Sequence, residues 1–248
     1  MVASESFANF GALLAADPPL HSPISNRRVT ATDPAPITFA YDAPSRSYSI
    51  VAGPHSTTYG PAQLQNFGHP LAVRYQHGPN DILFFERQVQ DGAIELLYVA
   101  YGFWAIEAQG TYFVHGIATP PAQLPTAGSG NYRLDGFARL ADDSRVREVT
   151  LGLRDVNLGA PGPIIRVDFA TRAVSVSVVF NEIGETRGTG TFDGATGIFQ
   201  VPLSGGNYSG VFRGRFFGPN AIKAGGSVTL RNNSGDALVA SLAGKSVS

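Results

Sequence analysis

The sequence predicts an all-β protein in two parts, a small twisted sheet followed by a longer antiparallel β domain. Three observations predict it. The 248 residues include 29 Gly and 17 Pro, more than average usage, which favours turns and short strands over long helices. From Ile94 onward, short apolar runs recur at regular intervals, most of them separated by Gly, Asp, Asn or Pro, the rhythm of a sandwich or barrel. Within that stretch Val174, Val176 and Val178 alternate with Ala173, Ser175 and Ser177, which gives one buried face and one wetter face.

Taken in order, the chain opens with Phe7, Phe10, Leu13 and Leu14 at helical spacing. Ser6 stands as a cap and Asp17-Pro18-Pro19 as a stop, so a short amphipathic helix, or a tether, is expected there. No run after residue 20 carries a helical stripe. Residues 37–41 and 47–51 read as a hairpin around the turn Asp42-Ala43-Pro44-Ser45. Residues 71–75 and 82–85 read as strands around His77-Gly78-Pro79-Asn80. These belong to a first domain, 1–93, with long loops. The second domain, 94–248, should hold strands at 94–105, 111–117, 130–140, 145–156, 163–169, 173–181, 186–192, 197–203, 207–216, 225–231 and 236–242. The stretch 96–132 forms the seam and opens the second domain. It carries the only Trp, Trp104, beside Tyr101 and Phe103. That cluster reads as interface core first and as a contact platform second.

Composition excludes several function classes. Hydrophobic residues are 43% and charged residues 15%, enough for a packed core. A net charge of -1 gives no electrostatic case for nucleic acid or an anionic membrane. The chain has no Cys, which removes disulfides, thiolate metal sites and a Cys nucleophile. No apolar run reaches the roughly 18–20 residues of a spanning helix. The N-terminal stretch has no Lys or Arg before its short apolar run and does not read as a signal peptide.

Several short motifs, in order, resemble transferrin-binding protein B and its relatives. Tyr98-Val99-Ala100-Tyr101-Gly102-Phe103-Trp104 resembles the entry to that family's β-barrel domain. Phe113-Val114-His115-Gly116, Thr119-Pro120 and 124–132 (LPTAGSGNY) resemble the next segment. Val167-Asp168-Phe169 before the Val174 strand, the run 210–219 (GVFRGRFFGP) and Ala224-Gly225-Gly226 resemble later elements. The run 220–224 (NAIKA) departs from the family, many members of which carry a Glu before the closing Gly-Gly. The resemblance covers residues 94–243. It implies a handle-like β domain ahead of an eight-stranded antiparallel barrel, and a length that suits one lobe. It also implies an outer-membrane or cell-surface lipoprotein, or a secreted or periplasmic protein, that captures a nutrient beside a TonB-dependent receptor. An eight-stranded barrel is just wide enough for its own side chains. Binding is therefore expected on loops, on the first domain or in the groove between domains.

Five His are available. His21, His55, His69 and His77 fall in the first domain and His115 in the barrel, where it reads as structural. His55, His69 and His77 sit in or beside turn signals. A neutral imidazole can bind haem iron axially while aromatic side chains grip the porphyrin. Tyr59 and Tyr75, with Phe67, Phe84 and Phe85, would supply such surfaces. Haem is thus an expected ligand, with no intrinsic cofactor and no resident metal. There is no His-Glu-x-x-His, calcium loop or Gly-x-Ser-x-Gly elbow. Gly244-Lys245-Ser246 lacks the first Gly of a phosphate loop, with Val239 in its place. Asp142-Asp143 reads as a solvated tip. A non-enzymatic binding protein is expected. The alternative is a surface protein that grips a receptor or host protein without a small ligand. Its basic residues are 16 Arg against 2 Lys, and Arg suits interface anchoring.

Overall fold

The computed structural model describes residues 5–17, 28–32, 36–66, 68, 72–79, 81–87, 98–106, 109–141, 146–149 and 164–247. The first eleven strands are β1 (Glu5–Ser6), β2 (Ala8–Asp17), β3 (Arg28–Thr32), β4 (Ile37–Asp42), β5 (Ser47–Ala52), β6 (His55–Tyr59), β7 (Leu64–Gln65), β8 (Ala72–Gln76), β9 (Asp81–Arg87), β10 (Val99–Ile106) and β11 (Gln109–Gly116). The remaining nine are β12 (Ser129–Ala141), β13 (Val146–Val149), β14 (Ile164–Asp168), β15 (Ala173–Phe180), β16 (Gly184–Phe192), β17 (Ile198–Gly205), β18 (Tyr208–Phe217), β19 (Lys223–Asn232) and β20 (Ala237–Ser246). Helix among the described residues is confined to three single turns at 61–63, 121–123 and 219–221.

The N-terminal strands form two sheets, one ordered β1-β4-β5-β6 and one ordered β3-β2-β11-β10-β9-β8-β7. Between them lies an aromatic core of Phe39, Tyr48, Tyr59, Tyr75, Phe85, Trp104 and Phe113. The hairpin expected at 42–45 forms: Asp42 accepts hydrogen bonds from the amide and hydroxyl of Ser45, and β4 pairs with β5 from Ile37↔Ala52 to Asp42↔Ser47.

Two expectations are corrected. Residues 8–17 are strand β2, not a helix, and pair with β11 and β3. The start of the strand lies between two layers: Phe7 beside it packs on the aromatic core, whereas Ala8 and Ala12 meet the barrel side. A strand set between two layers need not alternate apolar with polar. The strands at 99–106 and 109–116 pair with β9 and β2, so they belong to the N-terminal sheet and not to the barrel. His115 goes with them, buried against the rings of Phe7, Phe39, Phe85 and Phe113. His55, expected in or beside a turn, follows the Gly53-Pro54 turn directly as the first residue of strand β6, opposite Ala52. Asp142-Asp143, His21, His69 and Phe67 lie outside the described residues.

The eight strands β12 and β14 to β20 close into an antiparallel barrel through β12–β20, from Tyr132↔Ser246 to Ala141↔Ala237. β13 extends the far end of β12. Inward positions alternate along each strand, as in β15, where Val174, Val176, Val178 and Phe180 are buried. They fill the interior with Phe199, Val201, Phe212, Phe216, Val228, Leu230, Leu238 and Leu242. Phe199 and Phe212 stack with centroids 5.8 Å apart and planes 5° from parallel. β16 makes room by placing Gly188 and Gly190 inward; a Cβ on either would lie 3.3 Å from a Val201 methyl.

The larger N-terminal sheet packs on the outside of β19, β20 and β12. The outer face of β20 is small, with Ala237, Val239, Ser241 and Ala243 all buried. Phe103, Tyr112, Val99, Tyr101 and Val114 of the N-terminal sheet lie over it, beside Phe137 of the neighbouring β12. Ser241 donates its hydroxyl to the carbonyl of Gly102 at 3.0 Å across this interface. Gly102 permits the tight sheet, since a Cβ there would sit 2.7 Å from that of Phe85. Trp104 points the other way, into the aromatic core, and is 0% exposed.

Candidate functional site

One polar node interrupts the aromatic core, and two of the sequence-predicted residues converge on it. β6 carries Thr57 and Tyr59 on one face, β9 begins at Asp81, and β10 carries Trp104. The Asp81 carboxylate accepts hydrogen bonds from the Tyr59 hydroxyl, from Trp104 Nε1 at 2.9 Å and from Thr57 Oγ1 at 3.2 Å. Trp104 Nε1 also lies 2.8 Å from the Tyr59 oxygen. His77 Nδ1 stands 4.0 Å from Asp81 Oδ2, with its side chain 64% exposed. A half-buried carboxylate needs such donors, because an unpaired charge away from water is costly. The node thereby ties the smaller sheet to the larger one.

This geometry determines what each candidate can do. Tyr59 is 0% exposed. Its phenol is pushed far above the ordinary value, by burial first and then by the hydrogen bond and charge of Asp81. It is a neutral donor to Asp81. Tyr75 is 7% exposed and packs on Tyr48 and Tyr59 with centroids 5.7 and 5.9 Å away. His55 stands four residues along β6 from Tyr59, about 13 Å at strand rise. Tyr59, Tyr75 and His77 are therefore neighbours, and His55 stands apart. Among the described residues no group of three or more His, Asp or Glu is placed to hold a metal ion. Asp81 and Thr57 were missed by sequence reasoning. The one signal was an Asp at the foot of an apolar run after a Gly-Pro turn; its partners come from another sheet, which no spacing reveals.

A second node joins the N-terminal sheet to the barrel. The Tyr101 hydroxyl donates to Glu86 Oε2 at 2.7 Å. Burial, followed by the charges of Asp135 on β12 and Glu86 on β9, drives this phenol far above its usual range. The groove expected between the two parts is, at this interface, filled with packed side chains.

At one end of the barrel there is an open recess of about 140 Å³. Its walls come from the β11–β12 connection (Pro121, Leu124, Pro125, Thr126), the β14–β15 turn (Phe169, Ala170, Arg172) and the end of β16 with the turn after it (Phe192, Gly194). Sequence reasoning does not foresee this recess, which three separate segments assemble.

No protein-family model matches this chain, and no curated protein sequence matches it. Solved structures do. A transferrin-binding protein B double mutant from Haemophilus parasuis Hp5 superposes with a TM-score of 0.55 at 11% identity, over 99% of this chain and 76% of that one. The isotype 1 transferrin-binding protein B of serogroup B Neisseria meningitidis gives 0.56 at 14% identity, over 88% of this chain and 53% of that one. An intact two-lobed protein of the same kind, Ap-TbpB, gives 0.52 at 11% identity, over 98% and 77%. This chain therefore has the fold of the transferrin-binding protein B structures, and it spans about half the length of the meningococcal one.

Proposed function

We propose that this chain is a non-enzymatic binding protein of the bacterial envelope, surface-anchored or secreted, which holds its target outside the barrel. One observation carries the proposal: the barrel is packed with its own aromatic and aliphatic side chains, so recognition falls to loops and sheet faces. The shared fold supports it, since the similar structures are named for binding transferrin.

The reading that the geometry favours is protein recognition: the target is a receptor or host protein. Tyr59 and Tyr75, the aromatics expected to grip a porphyrin, are buried in the core, and Tyr59 is bonded to Asp81. Capture from the native organism's envelope extract, or from host serum, should yield a stoichiometric protein partner. Recovery of none, together with saturable binding of a small solute, would overturn this reading.

Nutrient capture for a TonB-dependent receptor is the second reading, with haem as ligand and His55, His69 and His77 as candidate axial groups. His77 favours it, as an exposed imidazole at the edge of the Asp81 node, Nδ1 4.0 Å from Asp81 Oδ2, because axial ligation needs an imidazole that a porphyrin can reach. Hemin added to the protein should then shift its Soret band, and replacing all three His by Ala should abolish the shift. No shift, or a shift that survives the triple replacement, removes haem as the ligand.

A further inference from the structure

The two N-terminal sheets do not end together. The smaller has four strands and the larger seven. Ring contacts mark how far the smaller one reaches: Phe39 of β4 packs on Phe113 of β11, Tyr48 of β5 on Phe85 of β9 and Tyr75 of β8, and Tyr59 of β6 on Tyr75. There β6 is its last strand. The larger sheet continues to β7, joined to β8 through Leu64↔Tyr75 and Gln65↔Arg74. Side chains directly opposite in an antiparallel pair share a face. Leu64 is therefore on the face that Tyr75 turns to the aromatic core, and Arg74 is on the other. Yet Tyr75 is 7% exposed and Leu64 51%. Among the described residues the core face is uncovered at Leu64, beyond the reach of β6.

β6 is also an open edge. Among the described residues it pairs with β5 alone, and in an antiparallel strand alternate residues point their amide and carbonyl away from that partner. Edge strands are usually shielded by charge, proline or a bulge. β6 (His55–Tyr59) has the sequence HSTTY and an unbroken register, so it has none of these. The other described edges are short or charged: β1 and β7 have two residues each, β3 begins at Arg28, and β13 carries Arg147 and Glu148. From residue 47 to 73 the chain holds no Asp, Glu, Lys or Arg. The outer face beside the edge is equally neutral, with Val51, Ser56 and Thr58 exposed. The single turn at 61–63 carries the chain from β6 to β7 and bounds the open position at its Tyr59 end.

Charge selects the occupant. A Lys or Glu brought against this surface would lose water and find no opposite charge, whereas a neutral segment would not. Asp81, which β6 reaches through Thr57 and Tyr59, already accepts three side-chain donors. We propose that a partner protein docks here by adding one strand to β6: an extended, uncharged segment of about five residues that bonds to the open edge and lays an apolar side chain on Leu64, continuing the aromatic core. The proposal rests on the protein-recognition reading above and names the element of the partner that docks.

The full chain, labelled with ¹⁵N, is titrated with a neutral peptide capped at both ends, Thr-Val-Thr-Val-Thr. The Ser56 and Thr58 amide signals should move saturably, and amide exchange along the β6 edge should slow about tenfold or more. Two further peptides carry N-methyl groups, one on the Thr amides and one on the Val amides. Only one set of amides faces β6, so one peptide should bind like the parent and the other about tenfold or more weaker. Replacing both Val by Lys should weaken binding to a similar degree. Leu64→Asp should keep the melting temperature, because the side chain is half-exposed, and lose about tenfold or more in affinity; Ile198→Asp, exposed on the barrel wall, should lose nothing. Absence of saturable shifts, equal binding by the two N-methyl peptides, or undiminished binding by Leu64→Asp overturns the proposal. So does a dimer in sedimentation that Leu64→Asp dissolves, which gives the open position to a second copy of the chain. A captured protein partner that binds Leu64→Asp as well as the parent leaves the recognition reading standing and removes this site alone.

Discussion

Asp81 receives three side-chain donors from two other strands, and the node is worth more to stability than its size suggests. Tyr59→Phe keeps the ring in the aromatic core but removes one donor from a carboxylate. It should cost roughly 1.5–3 kcal/mol, the range for a hydrogen bond to a charged group, measurable by urea unfolding. The buried phenols also set an alkaline limit. Tyr59, Tyr101, Tyr112 and Tyr132 are all shifted upward, chiefly by burial. Below the ordinary phenol value of about 10, folded and unfolded chains hold the same phenolic protons. Above it the unfolded chain releases them and the folded chain retains them, so stability falls as pH rises. An ultraviolet titration should show these four titrating together with unfolding; independent titration near pH 10 in the folded state would contradict their burial. The sequence showed these tyrosines as aromatic positions without showing which were core. Tyr59 and Tyr75 are expected from the sequence as ligand surfaces; they are core because the smaller sheet, which carries Tyr59, packs face to face on the larger sheet, which carries Tyr75.

At the scale of the element, legibility tracked how many faces of a strand are covered. β15 is wet on one side, so its alternation was visible and its limits came within a residue. The other described barrel strands were likewise located, because a glycine or an Asn/Asp turn separates most of them. β2 reads as helix in the sequence because Phe10, Leu13 and Leu14 break the strict alternation of a strand. β10 and β11 read as barrel strands for a different reason: their runs are apolar on both sides, and membership of a sheet depends on pairing, which one sequence does not display. β20 offers a test of the double coverage. Ser241 is fully buried between barrel and N-terminal sheet. Ser241→Leu should overpack that interface by about 1–3 kcal/mol without touching the barrel interior. Calorimetry should resolve the single transition into two as the sheet loosens. An unchanged melting profile would mean that the two parts are not coupled through β20.

For the whole molecule, the arrangement is a filled cylinder with a sandwich of sheets docked on its wall. Closing the sheet removes exposed edges, and packing the interior leaves the molecule's outer surfaces for recognition. The barrel's existence was legible through motif resemblance and strand rhythm, while the Arg172 recess and the Asp81 node were not, because each is assembled from segments distant in sequence. The most direct test of the account is the urea unfolding free energy of Phe212→Ala against the parent chain. Phe212 is fully buried and stacked on Phe199. A packed interior predicts a loss of about 3–5 kcal/mol; a loss below about 1 kcal/mol would show that this side chain borders a roomy or wet chamber, and would contradict the filled barrel.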